Sequence, residues 1–303
     1  MRKLPDELMF LEHRKAIQLK TNTKIDGKVI VLTGGSSGVG LEALKQIIKN
    51  KVKIFLVVRN LDKTHKVLEE LSSINQAEVE LIQADFSLLS DVKKAAQEIK
   101  SKTDRIDIMI NCAGLHSTKR LLTKDGFEMV FAVNHLSSFL FTQLLLDRLI
   151  VSAPSRILQI NSEGHRFNGL NTNDLNWEKR HYTGLRGYGA SKTAQLLCCW
   201  ELNDELKDTG VTINAMHPGD VKTNIGQNNG LLYRLFSKLV IQRFLKDPKV
   251  SGESIYYLIA EPSLEKVSGE YYHLTQLSKP AKHALDRETG KKIYQISKEL
   301  CQI

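Results

Sequence analysis

The chain has 303 residues, of which 42% are hydrophobic and 25% are charged. These proportions are near the average for folded domains, so they exclude a disordered, collagen-like or low-complexity protein. The formal net charge is +9, but the lysines and arginines are scattered along the chain without a long block of like charge. We therefore expect no nucleic-acid partner.

Cysteine usage indicates a reducing compartment, because Cys112, Cys198, Cys199 and Cys301 form no CxxC pair. The histidines show no metal-ligand spacing, so no metal is expected. We find neither a signal-peptide-like run at the start nor a stretch of about 20 apolar residues, the length that a membrane span needs. The sequence therefore predicts a cytoplasmic protein without a transmembrane segment.

Short apolar, β-branched runs alternate along the chain with longer segments of helical spacing. The predicted strands are 28–34, 53–59, 79–85, 106–114, 156–162, 211–219 and 270–276. The predicted helices are 38–50, 62–73, 88–102, 125–150, 185–209 and 248–260. This alternation predicts an α/β protein, a single doubly wound Rossmann-type domain with a parallel sheet of about seven strands and helices on both faces.

No linker-like stretch divides the chain. We predict an N-terminal extension over 1–26, a Rossmann domain over 27–280 and a C-terminal helical tail over 281–303. Two insertions, at about 168–186 and 223–247, follow the carboxyl ends of predicted strands. Because open α/β sheets bind ligands at that edge, we expect the insertions to line a substrate site. The stretch 231–245 is predicted to be a lid, with contact to a membrane surface as the alternative.

A glycine-rich loop lies between the first predicted strand and the first predicted helix, with the sequence TGGSSGVG. Glycines allow a tight turn there, and the N–H groups of a helix N-terminus attract a pyrophosphate. This context favours a dinucleotide site over an ordinary strand–helix turn. The candidate cofactor-binding residues of the loop are Gly34, Ser36, Ser37, Gly38, Val39 and Gly40.

The end of the second predicted strand bears on the choice of cofactor. NAD sites usually carry Asp or Glu about 20 residues after the glycine loop, whereas NADP sites place an arginine nearby. Here Arg59 and Asn60 follow the strand without an acid, and a guanidinium suits a phosphate through paired donors. We therefore predict NADP(H) in preference to NAD(H), bound in part by Arg59 and Asn60. A solvated loop charge is the alternative reading of Arg59.

Six motifs in chain order resemble the short-chain dehydrogenase/reductase family. They are the TGxxxGxG loop, Asn111-Cys112-Ala113-Gly114, Ser162, the YxxxK pair Tyr188 and Lys192, Pro218-Gly219, and Thr223. The resemblance covers residues 28 to about 275. It implies an NADP(H)-dependent oxidoreductase that transfers a hydride between nicotinamide and an aldehyde, ketone or secondary alcohol.

Tyr188 and Lys192 are four residues apart, so a helix places them on one face. We expect the ammonium to bring the pKa of Tyr188 toward working pH, so that the phenol acts as the acid/base. A chance pair on an amphipathic helix is the alternative. The resemblance further implies that Lys192 binds the nicotinamide ribose, that Ser162 polarises the substrate oxygen, and that Asn134 supports a water-linked proton relay. The predicted catalytic residues are Asn134, Ser162, Tyr188 and Lys192.

The resemblance also assigns cofactor contacts to the ends of the later strands. Residues after strand three contact adenine, those after strand four line the ribose, and those after strand six include the segment that closes over the nicotinamide. In that order they are Asp85 and Phe86; Asn111, Ala113 and Gly114; Pro218, Gly219, Val221 and Thr223. Tyr188 and Lys192 complete this set. A strand-end turn is the alternative reading of Asp85.

The gap between Ser162 and Tyr188 is about twice the one common in the family. With His217-Pro218-Gly219 and the residues around Arg59, this gap resembles the retinol dehydrogenase/WW-domain oxidoreductase branch. Protochlorophyllide reductases are the related alternative. Asn161 and Glu163 flank Ser162, where small or hydroxyl residues are usual.

Two other functions stay open from the sequence. A cofactor-binding regulatory protein would keep the fold without turnover, although it would not need all four catalytic residues. A sugar-nucleotide epimerase or dehydratase is the other, but the glycine-rich loop of those enzymes resembles TGxxGxxG, whereas this loop reads TGxxxGxG. The expected partner is a small carbonyl or alcohol substrate. Family members often pair through the helices at 125–150 and 185–209, which leaves a homodimer open.

Overall fold

The computed structural model of the chain describes residues 16–219 and 247–303. The strands are β1 Val29–Thr33, β2 Lys53–Val58, β3 Glu78–Gln83, β4 Ile108–Asn111, β5 Ser155–Ile160, β6 Val211–His217, β7 Tyr271–His273 and β8 Gln276–Ser278. The helices are α1 Gly38–Ile47, α2 Leu61–Glu70, α3 Leu89–Lys102, α4 Met129–Val151, α5 Gly184–Glu205, α6 Lys249–Ala260 and α7 Arg287–Cys301. Short 3-10 turns lie at Ser72–Ile74, Glu163–Phe167, Pro262–Leu264 and Lys282–Leu285.

The strands form one sheet in the order β3-β2-β1-β4-β5-β6-β7-β8. All neighbours from β3 to β7 are parallel. The strand order reverses between β1 and β4, and open α/β sheets bind their ligands outside the carboxyl ends of the strands at such a point. The prediction of a single doubly wound α/β domain is confirmed.

The sheet has eight strands among the described residues, where about seven were predicted, and the last strand is antiparallel to its neighbour in an otherwise parallel sheet. The predicted strand 270–276 splits at a tight turn, where Leu274 has a left-handed φ of 57°. The side chain of Leu274 is fully buried and packs against Gly219. The chain therefore reverses after His273 and returns as β8.

Helices cover both faces of the sheet. On one face, α1 and α6 pack through apolar residues such as Leu44 and Ile255. On the other face, α3, α4 and α5 contribute Val92, Leu140 and Leu197 to a second core cluster. The strands between them carry apolar side chains toward both faces, as expected for a parallel sheet that is covered on both sides.

Helix α4 corrects the expectation that no stretch of the chain is long and apolar enough to span a membrane. Within the described ranges, Met129–Val151 is the one helix whose length and mean hydropathy suit a membrane span, and 78% of its most apolar window is buried inside the protein. A helix that is hydrophobic around most of its circumference is typical of a protein core. We therefore assign α4 to the core, where it packs between α3 and α5.

The C-terminal helix α7 packs on α4 and α5. The ring of Tyr294 meets that of Phe139 at 5.2 Å between centroids, and Oγ of Ser297 lies 2.8 Å from Nε2 of His135. These are the two helices through which the family resemblance predicts pairing. Part of that surface is thus covered by the chain itself, and the homodimer stays a prediction.

Several strands end earlier than the sequence predicts. The predicted ends at Gly34, Asp85, Gly114, Ser162 and Gly219 all lie one to three residues beyond the observed strands. The reason is visible in the backbone, since Gly34 and Gly219 have positive φ angles of 75° and 83° that a strand cannot accommodate. The residues predicted to act in the site therefore stand on the loops at the sheet edge.

Candidate active site

The carboxyl ends of the central strands meet at one edge of the sheet, and helix α5 passes beside it. Ser162 follows β5, while Tyr188 and Lys192 lie in the first half of α5. The helix begins at a capped turn, in which Oγ1 of Thr183 accepts a hydrogen bond from N of Arg186 at 3.2 Å. This start sets the rotation of α5 and turns Tyr188 toward Ser162.

The ring of Tyr188 packs against a glycine that the sequence analysis did not single out. A Cβ at Gly164 would lie 2.7 Å from Cε1 of Tyr188 and 3.3 Å from Oγ of Ser162. His116 lies edge-on to the ring, 5.7 Å between centroids. Gly164 therefore allows the phenol and Ser162 to approach each other.

Burial raises the pKa of Tyr188 to about 12, while a hydrogen bond with Ser162 acts in the opposite direction. The phenol is therefore protonated at neutral pH, which is the state that can donate a proton to a carbonyl oxygen. The prediction that Lys192 brings this pKa toward working pH is wrong for this structure. The ammonium lies 5.8 Å from the ring centroid, and burial of the phenol is the largest cause of the shift in its pKa.

The ammonium of Lys192 is buried between two acceptors. Its Nζ donates to O of Ile160 at 2.9 Å and to Oε1 of Gln195 at 3.0 Å. Burial lowers the pKa of Lys192 to about 8, because an apolar surrounding disfavours the charged form. The two hydrogen bonds stabilise the charged form and partly offset this effect of burial.

Asn134 lies in a π-helical turn of α4, Ala132–Leu136, a geometry that often marks functional sites. Its side chain holds the loop after β4, because Oδ1 accepts from N of Leu115 at 2.8 Å and Nδ2 donates to O of Leu115 at 3.0 Å. Nδ2 also donates to Oγ of Ser191 at 3.0 Å. The side chain of Asn134 thus joins the cofactor-side loop to α5.

The side chain of Gln195 links Lys192 to the backbone of Asn134. Nε2 of Gln195 donates to the backbone O of Asn134 at 2.6 Å, and its Oε1 accepts from Lys192. The sequence analysis missed Gln195, although its place one turn after Lys192 puts it on the same helix face.

The glycine-rich loop forms a cradle that side chains would fill. A Cβ at Gly34 would lie 2.9 Å from Cα of Ala113, and one at Gly40 would lie 2.4 Å from O of Gly34. No side chain caps α1 at Ser37, and its first turn carries no acid. The first N–H groups of a helix have no partner within it, so these groups suit a pyrophosphate. The loop also contains Ser36, Gly38 and Val39.

The loop after β4 is fixed to the end of β1. Oγ1 of Thr33 accepts hydrogen bonds from N of Cys112 and N of Ala113, both at 3.0 Å. The side chain of Asn111 turns to α4, where Nδ2 donates to Oγ1 of Thr142 at 2.8 Å. Ala113 and Gly114 thus present mainly backbone to the site, and Thr33 is a positioning residue that the sequence analysis missed.

The ends of β2 and β3 hold the predicted adenosine side. Arg59 is exposed, whereas Oδ1 of Asn60 accepts from N of Lys63 at 2.8 Å and so caps α2. Oδ1 of Asp85 accepts from N of Ser87 at 2.9 Å, which is the turn geometry of the alternative reading.

Phe86 belongs to the core. It is buried, with its ring 5.6 Å from that of Phe141. Of the residues that the resemblance assigns to the adenosine side, Phe86 could therefore contact a cofactor only through its backbone.

The end of β6 reaches the limit of the described residues. O of Pro218 accepts from Oγ of Ser251 at 2.5 Å, and Gly219 takes its positive φ there. Val221 and Thr223 lie outside the described residues. So do the stretch 231–245 and all but the last residue of the insertion 223–247.

The insertion 168–186 packs beside the start of α5. Nε of Arg180 donates to Oδ2 of Asp174 at 3.0 Å, and its guanidinium lies over the ring of Trp177 at 4.0 Å. The hydroxyl of Tyr182 donates to Oε1 of Glu128 at 3.2 Å. The insertion is therefore a fixed structural unit next to Tyr188.

A buried charge network lies behind Ser162. Glu163 forms an ion pair with Arg166 and accepts from the hydroxyl of Tyr271 at 3.3 Å. Burial alone would raise the pKa of Glu163, but a hydrogen bond with His273 and the charge of Arg166 hold it below its usual value. The carboxylate is therefore charged and ties the Ser162 turn to β7.

Across the described ranges, no group of three His, Cys, Asp or Glu side chains could hold a metal.

Comparison with known proteins places this site in a family. The family model for short chain dehydrogenases matches residues 28–231. The chain belongs to the short chain dehydrogenase family, an oxidoreductase family that transfers a hydride between a nicotinamide cofactor and alcohol or carbonyl groups. The family predicted from the motifs is confirmed.

The relatives also confirm the predicted branch. Human retinol dehydrogenase 13 is 33% identical over 282 residues, 91% of this chain and 85% of that protein. Mouse retinol dehydrogenase 12 is 32% identical over 287 residues, 93% and 89% respectively. The human WW domain-containing oxidoreductase is 31% identical over 295 residues, 95% of this chain and 71% of that protein.

Solved structures share the fold at lower identity. An uncharacterised protein from Mycobacterium paratuberculosis has a TM-score of 0.75 at 22% identity, covering 94% of this chain and 98% of its own. A short chain dehydrogenase from Burkholderia cenocepacia in complex with NADP has a TM-score of 0.64 at 20% identity, covering 82% and 96%.

Proposed function

We propose that the protein is an NADP(H)-dependent carbonyl reductase and alcohol dehydrogenase with Tyr188 as the acid/base. The observation that carries the proposal is the close approach of Tyr188 and Ser162 over Gly164, where a Cβ would lie 2.7 Å from Cε1 of Tyr188 and 3.3 Å from Oγ of Ser162, with Nζ of Lys192 5.8 Å from the centroid of the Tyr188 ring. When bound, the nicotinamide supplies the hydride to a carbonyl carbon or takes it from an alcohol.

Ser162, Tyr188 and Lys192 have different roles in the proton transfer to the substrate oxygen. Ser162 donates a hydrogen bond to that oxygen as negative charge develops on it. Tyr188 gives its Oη proton to the same oxygen and becomes a phenolate. The positive charge of Lys192 stabilises the phenolate. In alcohol oxidation the phenolate takes the proton back.

The cradle of the glycine loop supports a dinucleotide, since backbone fills the space that a side chain would need at Gly34 and Gly40. The preference for NADP(H) is supported by the end of β2. There the exposed Arg59 takes the place where NAD sites usually carry an acid.

The Arg59→Ala variant tests the choice of cofactor. We expect it to weaken NADPH binding by about 10- to 100-fold, because a hydrogen bond to a charged group contributes about 1.5–3 kcal/mol. NADH binding should hardly change. Lys66→Ala, which removes an exposed charge one turn along α2, is the matched control for net charge. Equal losses for both cofactors in Arg59→Ala would contradict a phosphate contact.

The function itself is tested by following the consumption of NADPH and NADH with a panel of aldehydes and ketones. The panel includes retinal, because relatives of this chain carry the name retinol dehydrogenase. We expect turnover that is selective for NADPH. NADPH binding without turnover on any carbonyl would favour the regulatory alternative instead.

A further inference from the structure

We propose that Gln195 is a positioning residue whose side-chain amide bridges the ammonium of Lys192 to the backbone carbonyl of Asn134 and fixes that ammonium in the site. The inference rests on the proposed function, since it concerns the group that supports the acid/base.

The geometry of the bridge is defined by two buried side chains of α5. Gln195 and Lys192 are each 4% exposed, and their spacing puts them on one helix face. Nε2 of Gln195 lies 2.6 Å from O of Asn134, and Oε1 lies 3.0 Å from Nζ of Lys192. One amide thus spans the whole distance from the ammonium to the carbonyl.

The neighbours determine which end of the amide is the oxygen. Oε1 accepts a second hydrogen bond from Nδ2 of Asn161 at 3.1 Å. Nδ2 of Asn161 also donates to O of Lys192 at 2.9 Å, which defines it as a donor. If the Gln195 amide were reversed, its nitrogen would face two donors, Nζ of Lys192 and Nδ2 of Asn161, and its oxygen would face the carbonyl oxygen of Asn134.

The bridge sets the direction of the ammonium. An ammonium has three N–H donors, and the acceptors described for Lys192 are O of Ile160 and Oε1 of Gln195. A third N–H remains beyond these two hydrogen bonds, and Nζ lies 5.8 Å from the centroid of the Tyr188 ring. Gln195 therefore determines where the positive charge stands relative to the acid/base.

An amide and a water molecule differ in whether they can relay a proton. A water molecule donates and accepts through one oxygen, so it can hand protons along a chain. The nitrogen of Gln195 only donates and its oxygen only accepts. The bridge therefore holds Lys192 in place without conducting a proton from it toward Asn134.

The test is the titration of Lys192 in the cofactor-free protein, followed by NMR of the side-chain carbon bonded to Nζ. Lys192→Met assigns the signal, and the wild-type midpoint is expected near the pKa of about 8 that burial produces. Gln195→Leu removes an acceptor and should lower the midpoint by about one pH unit, whereas Gln195→Glu supplies a carboxylate and should raise it by about as much.

The other titratable groups near the ammonium are the same in every variant. Among the described residues these are Tyr188 on α5 and Cys112 after β4. Burial raises the pKa of Cys112 to about 12, so it stays a neutral thiol throughout the titration. The burial that raises the pKa of Tyr188 keeps the phenol neutral as well.

Opposite shifts in the two Gln195 variants support the bridge, and a purely structural role would give shifts of one sign or none. The high-pH limb of kcat for carbonyl reduction should move with the titration, because the charge of Lys192 is present below its pKa and is lost above it. Equal or absent shifts overturn the proposal. If Gln195→Leu does not fold, Gln195→Asn shortens the amide by one methylene and should give the downward shift instead.

Gln143→Leu is the matched control, because it removes an amide of α4 that donates to the hydroxyl of Tyr294 at 2.8 Å. It should leave the Lys192 midpoint unchanged. The titration needs no turnover, so an inactive protein with opposite shifts would count against the proposed function alone. An active protein without these shifts would count against the bridge alone.

Discussion

Replacing Tyr188 with phenylalanine is expected to lower kcat for carbonyl reduction by about 10²- to 10⁴-fold, the usual contribution of general acid catalysis. The substitution removes only the hydroxyl that gives the proton. The ring keeps its contacts with Gly164 and His116, so the fold and the affinity for NADPH should stay close to wild type. Steady-state kinetics and a fluorescence titration of NADPH measure the two effects separately.

Tyr256→Phe is the matched control for this loss. Its hydroxyl donates to O of Thr23 at 2.8 Å, and Thr23 is not one of the candidate site residues. We expect this variant to reduce carbonyls at the wild-type rate. If Tyr188→Phe also kept most of its activity, another group would have to supply the proton and the assignment of the acid/base would be wrong.

The second large effect is expected at Gly40, where alanine should weaken NADPH binding by about 10- to 100-fold. A Cβ there would lie 2.4 Å from O of Gly34, a backbone atom that moves only if the loop moves. Overpacking of this kind costs about 1–3 kcal/mol, and each 1.4 kcal/mol corresponds to about tenfold in affinity. The NADPH dissociation constant and the melting temperature should both respond.

Gly290→Ala controls for the substitution itself. Gly290 is a buried helical glycine of α7, and its nearest neighbour is the side-chain oxygen of Glu201, which can move away. We expect only a small change in stability and none in NADPH affinity. Wild-type NADPH affinity in Gly40→Ala would instead show that the cofactor does not depend on the shape of this loop.

The fold could be predicted from the sequence because its signals are local. The apolar run of β1 and the glycines after it identify the first strand–loop–helix unit without knowledge of the rest. The hairpin of β7 and β8 could not be predicted in this way. Its turn at Leu274 depends on burial of that side chain against Gly219, a contact between distant parts of the chain.

The candidate catalytic pair could be predicted for a similar reason, since Tyr188 and Lys192 carry a spacing that a helix converts into a shared face. Their electrostatics could not be predicted, because the pKa of a buried phenol depends on all its neighbours and not only on the nearest ammonium. Gln195 and Gly164 were missed because their roles are contacts across the fold. Only the distances to Asn134 and Tyr188 reveal them.

The proposed reaction is a hydride transfer from NADPH to a carbonyl carbon, with Tyr188 supplying the proton. The most direct test is reduction with NADPH that carries deuterium at both C4 positions of the nicotinamide, followed by mass spectrometry of the alcohol. With the wild-type protein we expect alcohol that carries a deuterium on the carbinol carbon, and with Tyr188→Phe we expect this labelled alcohol to form as slowly as the lowered kcat requires. Two results would contradict the proposed reaction: bound NADPH without labelled alcohol from any aldehyde or ketone, or equal rates of labelled-alcohol formation by the two proteins.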